Sequence, residues 1–297
     1  MAYQIITDSS CDLSVELVKE KNLQVVPFYV SFDEANYLKE NEEIRVHEFY
    51  QKMIDNPSIF PKTSLPSVED YIKAFTPCVE KGLDIICICI TTKFSGSYNS
   101  ASTAKDILLE DYPDIRITVI DATVNTVLQG ILVLESARMQ ENGLSYDEVI
   151  EGIEKIKGTG RIIFTVGNMD YLIHGGRVGK VMKVAVNALK IRPMIILKDG
   201  EIFPFGIARS RKKSIQKIIE KMKSHFEEIK ESPDDYEIVI GYGYDYEEAV
   251  EFRKEILESL KTYSKKTEID IFQIGAMIGV HTGPYPLGVG LIRKYDR

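Results

Sequence analysis

The chain has 297 residues and a formal net charge of −8 at neutral pH, with 44% hydrophobic and 28% charged residues. This composition is typical of a soluble globular protein and is enough for one large or two ordinary domains with real cores. The acidic balance argues against a general nucleic-acid binder, because neutralising a phosphate backbone needs a basic face.

Targeting and metal-binding signals are weak. No apolar run approaches the ~18 residues of a membrane span, and no basic segment followed by an apolar one stands at the N-terminus. The four cysteines are scattered, and no His or Cys pair elsewhere completes a metal-binding set; they are Cys11, Cys78, Cys87 and Cys89. We therefore expect a cytoplasmic protein, in a reducing compartment, without a metal ion.

Short apolar runs alternate with helix-compatible segments as far as about residue 157. The predicted strands are Tyr3–Thr7, Leu23–Val30, Ile85–Ile90 and Arg116–Ile120. The predicted helices run to about Lys21 from a cap at Asp12 or Ser14, and then over Val46–Ile54, Val68–Lys81, Tyr98–Leu109 and Val127–Gln140, with one more capped by Ser145 and Glu148. Such alternation predicts a parallel, doubly wound sheet.

Three of these strands end in hydroxyl or carboxylate side chains, within Thr7–Ser10, Thr91–Ser97 and Asp121–Thr123. Parallel strand ends share one edge of a sheet, where ligands bind, and helix N-termini favour anions. The middle segment holds a single cation, Lys93, and lacks a triphosphate-binding glycine motif, which indicates a small anion such as a carboxylate. The alternative is that these side chains only cap the helices that follow.

The pattern changes after Lys157–Gly160, which we interpret as a linker and hinge between domains 1–158 and 159–297. Predicted strands here are Arg161–Val166, Glu237–Ile240 and Glu268–Ile274, with a hairpin of Met194–Leu197 and Ile202–Phe205 around Asp199-Gly200. Predicted helices are Ser214–Ile229 and Tyr246–Leu260. This half is expected to be a second α/β domain with antiparallel pairing.

Few residues suggest chemistry by themselves. His281 follows an apolar segment that we interpret as a strand and stands in the glycine-rich stretch 275–290, where a tight backbone would let a ligand approach. Ser95 lacks the first glycine of a hydrolase nucleophile turn, and no dinucleotide motif follows the first strand. The basic residues around Arg177 and from Arg209 to Lys213 are either solvated helix faces or a docking surface for an acidic partner or a phosphate-bearing ligand.

Five motifs occur in order across nearly the whole chain: TDSSCDL, KTSLPS, FSGSYNSA, HGGRVGK and GVHTGP. Together they resemble the DegV family of bacterial fatty-acid-binding proteins. The resemblance implies a long-chain fatty acid as bound ligand, with its carboxylate between two α/β domains and its tail in an apolar tunnel, and no cofactor. It also implies a partner, an ATP-dependent fatty acid kinase subunit that phosphorylates the bound acid for phospholipid synthesis, and it leaves room for a transient membrane contact.

The resemblance also implies roles for particular residues. The carboxylate would be held by Thr63, Ser95, the backbone N–H of Gly96, and His281, with Ser64 and Ser97 as neighbouring choices. The kinase would face Arg177, Arg209 and Lys213. Two alternatives stay open: an acyl-transfer hydrolase using Ser95 and His281, and a regulatory module that senses a lipid without passing it on.

Overall fold

A computed structural model describes residues 2–181 and 192–297. The described strands are, in chain order, β1 (Tyr3–Asp8), β2 (Gln24–Val26), β3 (Tyr29–Ser31), β4 (Leu38–Lys39), β5 (Lys62–Ser64), β6 (Asp84–Cys89), β7 (Ile117–Asp121), β8 (Arg161–Thr165), β9 (Arg192–Lys198), β10 (Glu201–Ala208), β11 (Tyr236–Tyr242), β12 (Asp270–Gln273) and β13 (Leu287–Arg293).

The described helices are α1 (Val15–Glu20), α2 (Val46–Asp55), α3 (Val68–Val79), α4 (Ser97–Asp111), α5 (Thr126–Glu141), α6 (Tyr146–Lys157), α7 (Asp170–His174), α8 (Arg211–Ile229), α9 (Tyr246–Leu260) and α10 (Ala276–Thr282). Short 3₁₀ turns cover Ser9–Cys11, Gly179–Val181 and Pro233–Asp235. Among these helices, none combines the length and the apolar character that a membrane span requires.

The first unit is built on a four-stranded sheet in the order β2–β1–β6–β7, and every pairing in it is parallel. All six residues of β6 are buried, as the continuous apolar run predicts for a strand covered on both faces. Side chains of α3 and α4 cover one face of the sheet, and those of α5 and α6 pack on the other. The predicted parallel, doubly wound sheet is therefore confirmed.

The single strand predicted over Leu23–Val30 is wrong. Pro27 stands between β2, in the parallel sheet, and β3, which lies in a separate antiparallel sheet of order β4–β3–β5. Proline donates no backbone hydrogen bond and so interrupts a ladder. The segment around Thr63 forms β5 against β3.

The second unit is a mixed six-stranded sheet in the order β10–β9–β8–β13–β11–β12, in which only β11 and β12 pair in parallel. The predicted hairpin is present, with φ of 52° at Asp199 and 78° at Gly200, as a type I′ turn requires. A two-domain α/β fold with one parallel and one mixed sheet is thus confirmed. The division at residues 158 and 159 stays a prediction.

The stretch 275–290 departs most from expectation. It forms α10, which carries His281 in a helix rather than after a strand, and it leads into β13, the strand between β8 and β11. Gly283, with a φ of 74°, follows the helix end. The glycines at 288 and 290 explain why the sequence pattern does not predict β13, because glycine is unusual inside a strand.

One core cluster joins the two units. It contains Ile86 and Ile88 of β6, Leu128 of α5, and Ile162 and Leu197 of the mixed sheet. Helix α5 therefore lies between the two sheets and packs against both, and the space that remains beside it is the candidate site.

Candidate functional site

A cavity of about 230 Å³ lies between the two units. Most of its wall is apolar and is contributed by both halves of the chain, with Ile90, Val127, Ile162, Phe164, Leu197 and Ile202 among its members. A space enclosed by such side chains suits an apolar ligand, because burying hydrocarbon there removes it from water.

Glycines widen this cavity on the side of the mixed sheet. Gly241 of β11 pairs directly with Gly288 of β13, and both line the cavity together with Gly290. A Cβ at Gly241 would lie 3.1 Å from Val127 of α5, so side chains here would fill the gap between helix and sheet. The missing side chains leave a strip of bare backbone as part of the cavity floor.

Four of the residues predicted for the carboxylate line the cavity, and they come from three segments that adjoin one another. Thr63 and Ser64 belong to β5, Ser95 precedes α4, and His281 belongs to α10, which contacts β5. The hydroxyl of Ser95 accepts a hydrogen bond from the Ser97 N–H at 3.2 Å, so its own proton is available to another acceptor. The structure therefore brings together four of the six residues predicted for the carboxylate.

Gly96 and Ser97 do not line the cavity. Gly96 is the N-cap residue of α4, and a Cβ on it would meet the Leu65 side chain at 3.5 Å. Ser97 turns inward, where its hydroxyl donates to Asp8 at 2.7 Å and lies 2.6 Å from the Tyr71 hydroxyl. Ser97 is thus engaged in an internal network. Gly96 lies next to Ser95, which does line the cavity.

His281 is the most distinctive group of the site. Its Nδ1 atom is buried without a hydrogen-bond partner in the described part of the chain. Burial, and then the positive charges of Arg177 and Lys62, lower the pKa of His281 to about 4. The imidazole is therefore neutral at physiological pH, and its ring carries one N–H donor and one acceptor.

Gly175, which sequence reasoning quoted only as part of the HGGRVGK motif, makes room for this ring. A Cβ at Gly175 would overlap with Nδ1 of His281 and lie 3.0 Å from its Cε1. Since Nδ1 is turned toward Gly175, the other ring nitrogen, Nε2, is the atom left for a ligand. The signal that could have found Gly175 is the paired glycine next to His174, because backbone contact requires a residue without a side chain.

Arg177 lies at the mouth of the cavity, where it is exposed and also lines the wall. Its guanidinium donates to the backbone carbonyls of Phe94, at 3.2 Å, and Gly175, at 2.9 Å, and so bridges the two units. Arg209 and Lys213 are exposed around the start of α8 and do not line the cavity. The three predicted partner-facing cations therefore occupy two different places.

Three further polar residues line the cavity without having been assigned to it: Asn125, Thr126 and Thr282. Thr282 donates to the Ile278 carbonyl and Thr126 donates to Asp12, so both hydroxyls are already engaged within the protein.

In residues 2–181 and 192–297, no group of three or more His, Cys, Asp or Glu side chains is placed to hold a metal ion.

The sequence matches one protein-family model over residues 2–294, and that model is described as an uncharacterised protein of the DegV family. A relative from Thermotoga maritima, named fatty acid-binding protein, is 32% identical in an alignment that covers 98% of each chain.

Solved structures show the same fold. A fatty acid (stearic acid)-binding protein from Eubacterium ventriosum has a TM-score of 0.93 to this chain at 45% identity, with 99% of both chains covered. A DegV family protein from Thermus thermophilus, whose structure is described for fatty acid binding, has a TM-score of 0.87 at 27% identity and covers 99% of this chain and 100% of its own.

Proposed function

The chain belongs to the DegV family, and on that premise we propose that it binds a long-chain fatty acid and presents it to a separate ATP-dependent kinase. The carboxylate lies against Thr63, Ser95 and His281, with Ser64 and the Gly96 backbone beside them, and the tail fills the apolar cavity. The kinase converts the bound acid to an acyl phosphate, which enters phospholipid synthesis.

One observation carries the binding proposal: an apolar cavity lies between the two units, and part of its wall carries side chains that can form hydrogen bonds to a ligand. Thr63 and Ser95 come from the first unit and His281 from the second. A carboxylate is costly to bury unless several donors satisfy it. Two hydroxyls and an imidazole N–H supply such donors, and a ligand held by both units would also hold the units together.

The tautomer of His281 follows from its surroundings. An unpaired buried N–H costs more than an unpaired acceptor, so the proton belongs on Nε2 rather than on the partnerless Nδ1. Nε2 can then donate to a carboxylate oxygen. Because the ring is neutral at pH 7, the carboxylate is bound by hydrogen bonds rather than by an ion pair with the ring.

The hydrocarbon tail supplies most of the gross binding energy. About fifteen methylenes at ~0.8 kcal/mol each give a transfer term of roughly 12 kcal/mol from water. The same acid would otherwise partition into membranes, so an enclosed cavity is what a carrier needs. The 45% identical relative is described as a stearic acid-binding protein, which supports a saturated chain of similar length here.

The kinase-facing role rests on position and charge. Arg177 is exposed at the cavity mouth beside the carboxylate site, where a phosphate donor would have to approach. Arg209 and Lys213, at the start of α8, add positive charge to an otherwise acidic protein. These cations suit an acidic surface on a partner.

The hydrolase alternative lacks a geometric support. Acyl transfer needs a serine hydrogen-bonded to a base that a third group orients. Within residues 2–181 and 192–297, the Ser95 hydroxyl bonds to the Ser97 N–H and not to His281, and Nδ1 of His281 has no partner to orient it. A binding role therefore fits the arrangement better.

Mass spectrometry of the purified full chain tests the proposal. Under native conditions we expect one long-chain fatty acid per protein, identified after solvent extraction, and lost in a double Thr63→Ala and Ser95→Ala variant that still folds. A purified protein that is empty and takes up no added stearic acid would overturn the binding proposal.

The kinase step is tested separately on the loaded protein. With ATP and a fatty acid kinase subunit of a DegV-type system, we expect acyl phosphate to form and Arg177→Ala to slow its formation. If the loaded protein gives no acyl phosphate with any such kinase, the lipid-sensing alternative is favoured and the binding proposal stands.

A further inference from the structure

Two buried carboxylates meet at the start of the helix that carries His281. Asp12 follows the 3₁₀ turn Ser9–Cys11, and Glu40 follows β4; each is more than nine-tenths buried. A Cβ built on Gly275, the N-cap of α10, would lie 2.5 Å from Glu40 Oε1 and 2.6 Å from Asp12 Oδ1. Because both oxygens lie so near the same Cβ position, Glu40 Oε1 and Asp12 Oδ1 are at most about 5 Å apart.

Glu40 is well supplied with donors. Its Oε1 accepts the N–H of Met277 in the first turn of α10 at 3.1 Å, and its Oε2 accepts the Ser9 hydroxyl at 2.5 Å. Glu40 thus caps a helix that lies more than two hundred residues away in the sequence. Because His281 lies four residues after Met277, one turn along α10, the cap also sets where the imidazole stands.

Asp12 is only half satisfied. Its Oδ2 accepts the Thr126 hydroxyl, while its Oδ1 is directed at the same place as Glu40 Oε1; the backbone N–H of Gly275 lies near the carboxyl group, but Oδ1 forms no hydrogen bond of good geometry among the described residues. A buried carboxylate oxygen without a donor is costly, whereas a protonated one can donate to a neighbouring carboxylate. One proton on Oδ1 of Asp12, donated to the nearby carboxylate of Glu40, would therefore satisfy both groups.

We propose that Asp12 and Glu40 share one proton and together position α10, so that His281 stands correctly in the cavity only while that proton is bound. Loss of the proton leaves two negative charges at the start of α10, which repel each other and loosen the helix. The pair thereby couples retention of the ligand to pH. This inference rests on the proposed fatty acid binding, which gives His281 its role.

The surroundings agree with this assignment. Burial and the neighbouring Glu40 charge raise the pKa of Asp12 well above its ordinary value, and burial raises the pKa of Glu40 to about 7. The titratable groups that face the pair are Asp8 from β1, Cys11 from the 3₁₀ turn and Tyr50 from α2. Asp8 disfavours a second negative charge, and Cys11 and Tyr50 stay neutral because burial raises their pKa values as well.

The sign of the effect follows from these directions. A carboxyl group whose pKa is raised on folding stabilises the folded state most below its unfolded pKa, and that contribution is lost as the pH rises through the folded pKa. The helix is therefore expected to loosen on the alkaline side of pH 7. Protonation of His281 does not interfere there, because its pKa lies at about 4.

Hydrogen exchange of the Met277 amide tests the idea without any ligand. From pH 6 to pH 9 we expect its protection factor to fall about tenfold or more in the wild-type chain. In Glu40→Gln the amide keeps an acceptor and mimics the protonated acid, so protection should stay within about twofold over this range. Glu42→Gln, on an exposed surface pair with Lys39, is the matched control and should behave like wild type.

Dissociation of stearic acid from the loaded protein is followed in the same variants. We expect faster release at pH 9 than at pH 6 in wild type and Glu42→Gln, a constant rate in Glu40→Gln, and fast release at both pH values in Glu40→Ala. If Glu40→Gln does not fold, Asp12→Asn takes its place, since its amide N–H can donate to Glu40 as the protonated acid would, at every pH.

A protection factor that is constant with pH in wild type, or a fall in Glu40→Gln equal to that of wild type, overturns the inference. A protein that takes up no stearic acid overturns the proposed function instead, and the exchange experiment still decides whether the pair holds α10.

Discussion

Two neighbouring polar clusters have similar residue types but differ in whether their hydrogen-bonding groups are satisfied within the protein. In the buried network, Asp8 accepts hydrogen bonds from the Ile90 N–H at 3.0 Å, the Ser97 hydroxyl at 2.7 Å and the Gln129 amide at 2.8 Å. In the cavity cluster of Thr63, Ser64, Ser95 and His281, the Ser95 hydroxyl proton is still available and Nδ1 of His281 has no partner in the part of the chain that the structure describes.

The difference shows that residue type does not separate a binding site from a structural network. Ser95 and Ser97 are two residues apart, yet one faces the cavity and the other bonds to Asp8. What separates them is hydrogen-bond saturation. A packed interior tolerates polar groups because they satisfy one another, whereas a binding site keeps donors unsatisfied for the ligand.

The largest effect on stability is expected when the central carboxylate of the buried network, Asp8, is removed. Asp8→Ala leaves the donors of Ile90, Ser97 and Gln129 without their acceptor in a fully buried place. We expect the free energy of unfolding to fall by about 3–5 kcal/mol, measured by denaturant titration.

Asp106→Ala is the control for this change, because Asp106 is exposed on α4 and pairs with Lys105 at the surface. Its effect should stay within about 0.5 kcal/mol. Equal losses in the two variants would show that the Asp8 network is not a stabilising centre.

A second variant tests the position of the His281 ring in the binding site. Gly175→Ala places a methyl group against Nδ1 of His281, so the ring must leave its present position and Nε2 no longer meets the carboxylate as it does in the wild type. We expect the affinity for stearic acid to fall about tenfold or more, measured by displacement of a fluorescent fatty acid.

Gly158→Ala is the matched control, since Gly158 ends α6 with an ordinary φ of −68° and a Cβ there meets nothing within 4 Å. It should bind as wild type does. If Gly175→Ala also binds normally, the ring position is not what holds the acid.

The smallest change sharpens the contrast within one motif. Ser95→Ala removes a cavity donor and should weaken stearic acid binding several-fold with little change in stability. Ser97→Ala removes a buried donor to Asp8 and should lower the free energy of unfolding by about 1–3 kcal/mol with affinity nearly unchanged. Paired titrations of ligand and denaturant measure both, and the reverse pattern would exchange the roles of the two serines.

Much of the fold could be predicted because its signals are local. The buried run at β6, the capping boxes at Ser67 and Ser145, and the Asp199-Gly200 turn each follow from neighbouring residues. The two errors have different causes. Pro27 is a local signal that divides the strand predicted over Leu23–Val30 between two sheets, whereas β13 forms through its pairing with the distant strands β8 and β11 despite two glycines.

Residue order alone was enough to predict the α/β class, the family and the motifs that contain Thr63, Ser95 and His281. Packing in three dimensions was needed to show that Ser97 turns inward, that Gly175 accommodates the His281 ring, that Arg177 bridges the units, and that Asp12 and Glu40 meet at α10. These contacts join residues far apart in the chain, and burial and hydrogen-bond saturation arise only when such residues are packed together.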